Sequence, residues 1–189
     1  IHPDQPTAYR RAFEGDSVSA YGGIVGFNRS VTAASAEAMR GVLFHIIVAP
    51  GYEPDALAIL KKRRQTRILE VSPSNGPLEG LDVRSVSGGA LFQTVDSIEE
   101  DPASWKVATE RRPTEAELKD LAFAWKAMKH IKSNTIVLAK DEAMVGMGAG
   151  QPNRVTSVHL ALRIAGEKAQ GSVLASDAYF PFADSVEKA

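Results

Sequence analysis

Along the chain, apolar residues fall into short continuous runs separated by longer amphipathic stretches, the pattern of buried strands alternating with helices. Ile24 to Phe27, Ile46 to Ala49, Arg67 to Val71 and Val173 to Ala175 read as strands, and Pro50-Gly51 stops the second of them. Helical composition covers Thr7 to Phe13, closed by Gly15-Asp16, and Ser35 to Leu43. Pro54 suits the first turn of a helix carrying Ala56, Leu57, Ile59 and Leu60. Thr114 followed by Glu117 is a capping box, in which each side chain satisfies an orphan amide of the other residue, and it opens a helix through Leu118, Leu121, Trp125 and Met128. Thr135 to Ala139 and Ala143 to Met147 flank Lys140-Asp141-Glu142 as a hairpin, while Val155 to Ala169 reads as a second long helix ending at Gly171. Ser72 to Gly89 is rich in Ser, Pro and Gly, which predicts a loop followed by a short strand at Asp82 to Val86.

Strands alternating with helices favour an α/β layered fold over a bundle or sandwich. The polar stretch from Glu99 to Pro113 crosses between two blocks, so the lobe boundary is placed there, giving lobes 1–98 and 99–189. The lobes share the alternation but no visible sequence repeat.

The 189 residues are 44% hydrophobic and 24% charged, an ordinary globular balance that supplies a sizeable core. The formal net charge of -1 leaves no general nucleic-acid footprint, and the run Lys61, Lys62, Arg63, Arg64 reads as a solvated helix end. The absence of cysteine excludes disulfides, thiolate metal sites and a cysteine nucleophile in this chain. No apolar run approaches the roughly 20 residues that span a bilayer, and no signal peptide is visible, so a soluble cytoplasmic protein is expected. Ile1 in place of Met points to a processed or partial chain.

Several segments could carry chemistry. Gly146-Met147-Gly148-Ala149-Gly150 lies between a strand and a helix without the spacing of GxGxxG or a Walker loop, so a tight turn is favoured over a phosphate cradle. Arg154 beside it would hold a phosphate or carboxylate well; the bland alternative is a surface arginine. Lys132-Ser133-Asn134 closes a helix before an apolar strand, where polar side chains either cap the helix or reach a cleft. Lys129-His130 has no obvious carboxylate partner and is expected to be structural or solvent-facing. Ser176-Asp177-Ala178-Tyr179-Phe180-Pro181-Phe182 is either core or a loop that clasps a flat heteroaromatic ring, with Asp177 and Asp184 taking its amino or amide protons. His45, between Phe44 and Ile46, is expected to be a hydrogen-bonded core residue rather than a catalyst. His2, His45, His130 and His159 show no HExxH-like spacing, so no metal is required.

Read together, these segments resemble the AICAR transformylase domain of the bifunctional purine enzymes that also carry an IMP cyclohydrolase domain. The matching motifs are GDSVSAYGGIVGFN (Gly15 to Asn28), IVAPGY (Ile47 to Tyr52), VSGG (Val86 to Gly89), KSN (Lys132 to Asn134), GMGAGQPNR (Gly146 to Arg154) and SDAYFPF (Ser176 to Phe182). Any one is weak, but their shared order is specific. The resemblance implies a cytidine-deaminase-like three-layer α/β fold occurring as two related lobes, incomplete at both ends, with active sites shared across a homodimer. The chain lacks cysteine and the HxE and PCxxC signatures, so only the fold of the zinc deaminases would be shared.

The implied activity is formyl transfer from 10-formyltetrahydrofolate to the 5-amino group of AICAR. That amine is a poor nucleophile, because its lone pair is delocalised; it needs proton removal and stabilisation of the formyl oxyanion. The resemblance places the nucleotide at Gly22, Asn134 and Arg154, with Asn134 also catalytic, and the folate at Val155, Tyr179 and Asp184. His45 falls where Asp or Glu usually contacts the substrate, and Tyr179 where Phe is common. A catalytic Lys-His pair belongs to a KHxNPCG segment immediately before the position of Ile1, and His130 is not its substitute. The chain alone is therefore expected to be inactive. The other reading is a noncatalytic nucleotide- or folate-binding module that needs a partner chain.

Overall fold

The computed structural model describes residues 1–72, 80–98, 100–180, 182–183 and 186–187. Its first half is built on a parallel sheet of β1 (Gly23–Gly26), β2 (Phe44–Ala49) and β3 (Arg67–Glu70), in that order. Parallel neighbours need crossovers, which α2 (Ala33–Ala38) and α3 (Pro54–Leu60) supply, while α1 (Gln5–Glu14) precedes the sheet. Alternation along the strands sends Val25, Ile47 and Ile68 into one core with Tyr9, Ala36, Met39 and Leu60. Ile24 and Leu69, on the opposite face, are exposed.

Helix α2 is shorter than its composition suggests. It stops at Ala38 because the chain turns at Gly41, whose φ is +81°, to enter β2. The carbonyls freed by that turn are used: the Arg63 guanidinium donates to the main-chain oxygens of Met39 and Val42. The basic run is thus not wholly a solvated helix end. Arg63 is half-buried and ties the end of α3 to the end of α2, whereas Lys61, Lys62 and Arg64 are exposed.

A second device in this half is a buried amide. Gln5 Oε1 accepts from Ser35 Oγ at 2.7 Å and from the Thr32 amide at 3.0 Å, and its Nε2 donates to Ser30 O at 3.1 Å. Ser35 is fully buried. Truncation in Gln5→Ala leaves these groups without partners and is expected to cost about 2 kcal/mol, read as a lowered denaturation midpoint. An unchanged midpoint would show that water replaces the amide without loss.

Strands β4 (Leu81–Val86) and β5 (Gly89–Thr94) form an antiparallel hairpin. The sequence predicts the first of these but not the second. Ser87-Gly88, within the VSGG motif, is the turn between them, and Gly88 has φ +82°. A short 3-10 turn at Pro102–Ser104 lies in the crossing to the second half.

The second half is three-layered. Helix α4 (Glu115–Met128) begins at the expected capping box, both bonds of which are present. Strands β6 (Ile136–Lys140), β7 (Ala143–Gly148) and β8 (Val173–Ser176) form an antiparallel sheet in the order β7-β6-β8. β6 is buried on both faces: Val137 and Ala139 pack against Ala124 and Met128 of α4, and Ile136 and Leu138 against Val158, Ala161 and Ala165 of α5 (Arg154–Ala165). Asp141 and Glu142, both at positive φ, make the tight turn between β6 and β7, and the Asp120 carboxylate accepts both of their amides. Helix α5 ends earlier than the periodicity suggests, at Gly166 with φ +55°, and a 3-10 turn completes the segment.

The architecture is mixed α/β, as expected. Its two sheets differ in strand direction, one parallel and the other antiparallel. Helix α1 also touches the second half, where Arg11 Nη1 donates to Asp141 O at 3.1 Å.

Candidate functional site

At one edge of the second sheet, three elements bring polar groups together. Residues 133–135 lead into β6, Arg154 is the first residue of α5, and Asp177 follows β8. The Arg154 guanidinium donates through Nη1 to the Asp177 carboxylate and, at 3.0 Å, to Ser176 Oγ; Nη2 donates to Asn134 Oδ1 at 2.7 Å. Asn134 Nδ2 donates to Gln151 O at 2.9 Å, and the Asn134 carbonyl accepts from Ser157 Oγ at 2.8 Å. Asp177 also accepts the Thr135 amide at 3.0 Å. The Arg154 and Asp177 side chains are only 10% and 21% exposed, so each charge depends on the other.

Burial pushes the Asp177 carboxyl up. Hydrogen bonds from Ser133, the Thr135 amide and Arg154, with the guanidinium's charge, outweigh it and hold the carboxyl below its ordinary value. The pair therefore carries no net charge near neutrality. Arg154 is not a free surface arginine: its guanidinium holds a carboxylate of the chain itself. With Nη1 and one Nη2 proton engaged, its Nε and remaining Nη2 protons, with the second proton of Asn134 Nδ2, are the donors left. Such a set fits a neutral acceptor, such as an amide oxygen, better than a phosphate dianion.

The glycine-rich stretch is not a phosphate cradle. A Cβ on Gly146 would lie 2.3 Å from Ala161 O, and one on Gly148 2.0 Å from Ser157 O, so both glycines serve the close approach of β7 to α5. The Gly150 amide is spent on Lys132 O and the Thr156 amide on the Asn153 side chain.

The other expected residues fall in different places. Gly22 precedes β1 at φ +77°, and the His45 ring lies against it, its Cε1 3.2 Å from where a Cβ would stand. These two residues are neighbours, and neither is hydrogen-bonded to Asn134 or Arg154. His45 is exposed rather than hydrogen-bonded in the core, because the pairing with β1 steps from Gly23↔Phe44 to Ile24↔Ile46 and leaves His45 as the extra residue at that irregularity. Val155 is half-buried in the first turn of α5. Tyr179 is 82% exposed, whereas Phe180 packs against the core shared by β6 and α5. Asp184 lies outside the described residues. Lys129 and His130 are exposed just past the end of α4, and Lys129 pairs with Asp96 at 3.3 Å.

Sequence reading missed Ser157, and it saw Asp177 only as a clasp for a ring. Ser157 sits one turn after Arg154 on the buried side of α5, a spacing that could have flagged it. One member of the network borders open space. Asp177 lines a cavity of about 1090 Å³ with Trp105, Trp125, Lys126 and His130, where the two indoles meet edge to face at 6.2 Å. Among the described residues no helix is long and apolar enough to cross a membrane, and no cluster of His, Asp or Glu could hold a metal ion.

Comparison with known proteins explains the motifs. Residues 1–164 match the family model of the AICARFT/IMPCHase bienzyme. The chain belongs to this family. Among similar proteins, the bifunctional purine biosynthesis protein of Dictyostelium discoideum is 49% identical over 98% of this chain and 36% of its own length. Those of Trichodesmium erythraeum and of a Listeria monocytogenes strain are 51% and 50% identical over 96% of this chain, which covers 35% and 36% of them. The chain thus spans about a third of the length of these AICARFT/IMPCHase relatives.

Proposed function

We propose that this chain is part of the substrate-binding apparatus of an enzyme that transfers formyl from 10-formyltetrahydrofolate to the 5-amino group of AICAR, giving FAICAR in the route to IMP. The observation that carries the reading is the family match over residues 1–164, which contains Gly22, Asn134 and Arg154. The geometry of the second lobe supports it. A charge-compensated guanidinium and an oriented amide present donors suited to the uncharged ring end of AICAR, and Asn134 also orients the reacting groups. Gly22 and His45 supply a second contact region for the nucleotide. Val155, Tyr179 and Asp184 meet the folate; the exposed Tyr179 ring is free to stack on a pterin.

The general base comes from outside the described residues. No described histidine donates to or accepts from a carboxylate, and His45, His130 and His159 are exposed. In this reading a Lys-His pair supplies the base, no metal takes part, and a homodimer of cytidine-deaminase-like lobes shares its sites in the cytoplasm.

The test is made on the full-length protein that carries this chain. It should formylate AICAR with 10-formyltetrahydrofolate as donor, and Asn134→Ala should weaken AICAR binding at least about tenfold, the equivalent of roughly 1.4 kcal/mol. Absence of turnover by the unaltered protein would overturn the function; unchanged AICAR affinity in Asn134→Ala would overturn the site.

A further inference from the structure

The Asp177 carboxylate is positioned to act on a ligand through the residues it holds. It leaves the end of β8, accepts the Thr135 amide at the mouth of β6 and holds Arg154 at the start of α5. One side chain therefore fixes the three elements whose ends converge at the site. The effect passes outward by hydrogen bonds. With Nη1 held by Asp177, the planar guanidinium has one orientation in which Nη2 meets Asn134 Oδ1 at 2.7 Å. That bond sets the rotation of the Asn134 amide, so that Nδ2 faces Gln151 O at 2.9 Å. In the AICAR reading, the donors offered to the ligand are then those left over on Arg154 and Asn134.

We infer that Asp177 is a positioning residue of the AICAR site, setting the orientation of Arg154 and Asn134 and cancelling the guanidinium's charge so that the site takes a neutral acceptor. The inference rests on the AICAR reading and adds to it a residue that acts through Arg154 and Asn134. Asp177→Asn is nearly isosteric and keeps an oxygen for the Thr135 amide, but it removes the charged partner of Arg154. Asp177→Glu keeps the charge and displaces it by one methylene.

The experiment measures, in the full-length protein, the affinity for AICAR and for 10-formyltetrahydrofolate by calorimetry, and the thermal midpoint of each variant. Asp177→Asn should weaken AICAR binding tenfold or more, with folate affinity unchanged within about twofold. Asp177→Glu should weaken AICAR binding less, by about threefold. A folded Asp177→Asn with unchanged AICAR affinity overturns the inference, and so does equal weakening for both substrates. If Asp177→Asn does not fold, Asp177→Glu decides by the same comparison, and failure of both to fold assigns Asp177 to stability alone. AICAR binding by the unaltered protein is measured first; its absence overturns the functional reading rather than the role of Asp177.

Discussion

Replacing Gly148 by alanine should unfold the second half of the chain. The added methyl would stand 2.0 Å from Ser157 O and 2.6 Å from Ser157 C and Cα, all main-chain atoms of α5. No rotamer change relieves that clash. Either α5 lifts from β7, opening the core of Val158 and Ala161, or the strand leaves the ladder. Overpacking of a close-packed interior commonly costs 1–3 kcal/mol, and a collision with rigid backbone belongs at or above the top of that range, about 3 kcal/mol or more. Gly150→Ala is the control. Its Cβ would meet nothing within 4 Å, and only the φ of +66° opposes it, so about 1 kcal/mol is expected. Chemical denaturation of the two variants checks the contrast. Equal midpoints would show that β7 and α5 can separate without loss.

Arg154→Ala should be nearly as damaging, by another route. It leaves the Asp177 carboxylate, 21% exposed, without a cation and Asn134 Oδ1 without a donor. Removing one partner of a buried pair costs about 3–5 kcal/mol; the residual exposure of Asp177 places this site at the low end, about 3 kcal/mol. Arg154→Lys should recover only part, since an ammonium lacks the fork that serves Asp177 and Asn134 together. The acid response follows from the depressed Asp177 pKa. The pair's contribution is fully present above the ordinary carboxylate value of about 3.9 and is lost as pH falls through the lowered folded value. The stability gap between the unaltered protein and Asp177→Asn should therefore narrow in strong acid, as denaturant titrations across pH would show. A gap independent of pH down to about 2 would mean that the carboxylate charge contributes nothing. Because Arg154→Ala perturbs the fold, its loss of AICAR binding would not by itself locate the nucleotide.

Much of the local structure was legible in the residues. The capping box at Thr114 and Glu117, the apolar run of β2 and the hairpin around Asp141-Glu142 all lie where pattern and turn chemistry put them. Errors arose where a distant group intervened. Helix α2 stops early because the chain turns at Gly41, and Arg63, just past α3, takes the carbonyls of Met39 and Val42 in that turn. β5 was not predicted, because its pairing partner lies across the turn at Ser87-Gly88. His45 was expected in the core, but it falls at the irregular step between the Phe44 and Ile46 pairings with β1, which the apolar run around it does not reveal.

By itself the sequence determined the order and type of most elements, and its ordered motifs pointed to the AICARFT/IMPCHase bienzyme family, because capping, periodicity and motif spacing are carried by residues close together in the chain. Tertiary structure alone decided what the polar residues do. Arg154 lies 23 residues from Asp177, and the Thr135 amide lies 42 residues from the carboxylate that accepts it. Only the packing of α5 on β6 and β7, which Gly146 and Gly148 permit, brings these groups within bonding distance and turns an apparent anion site into a charge-compensated one.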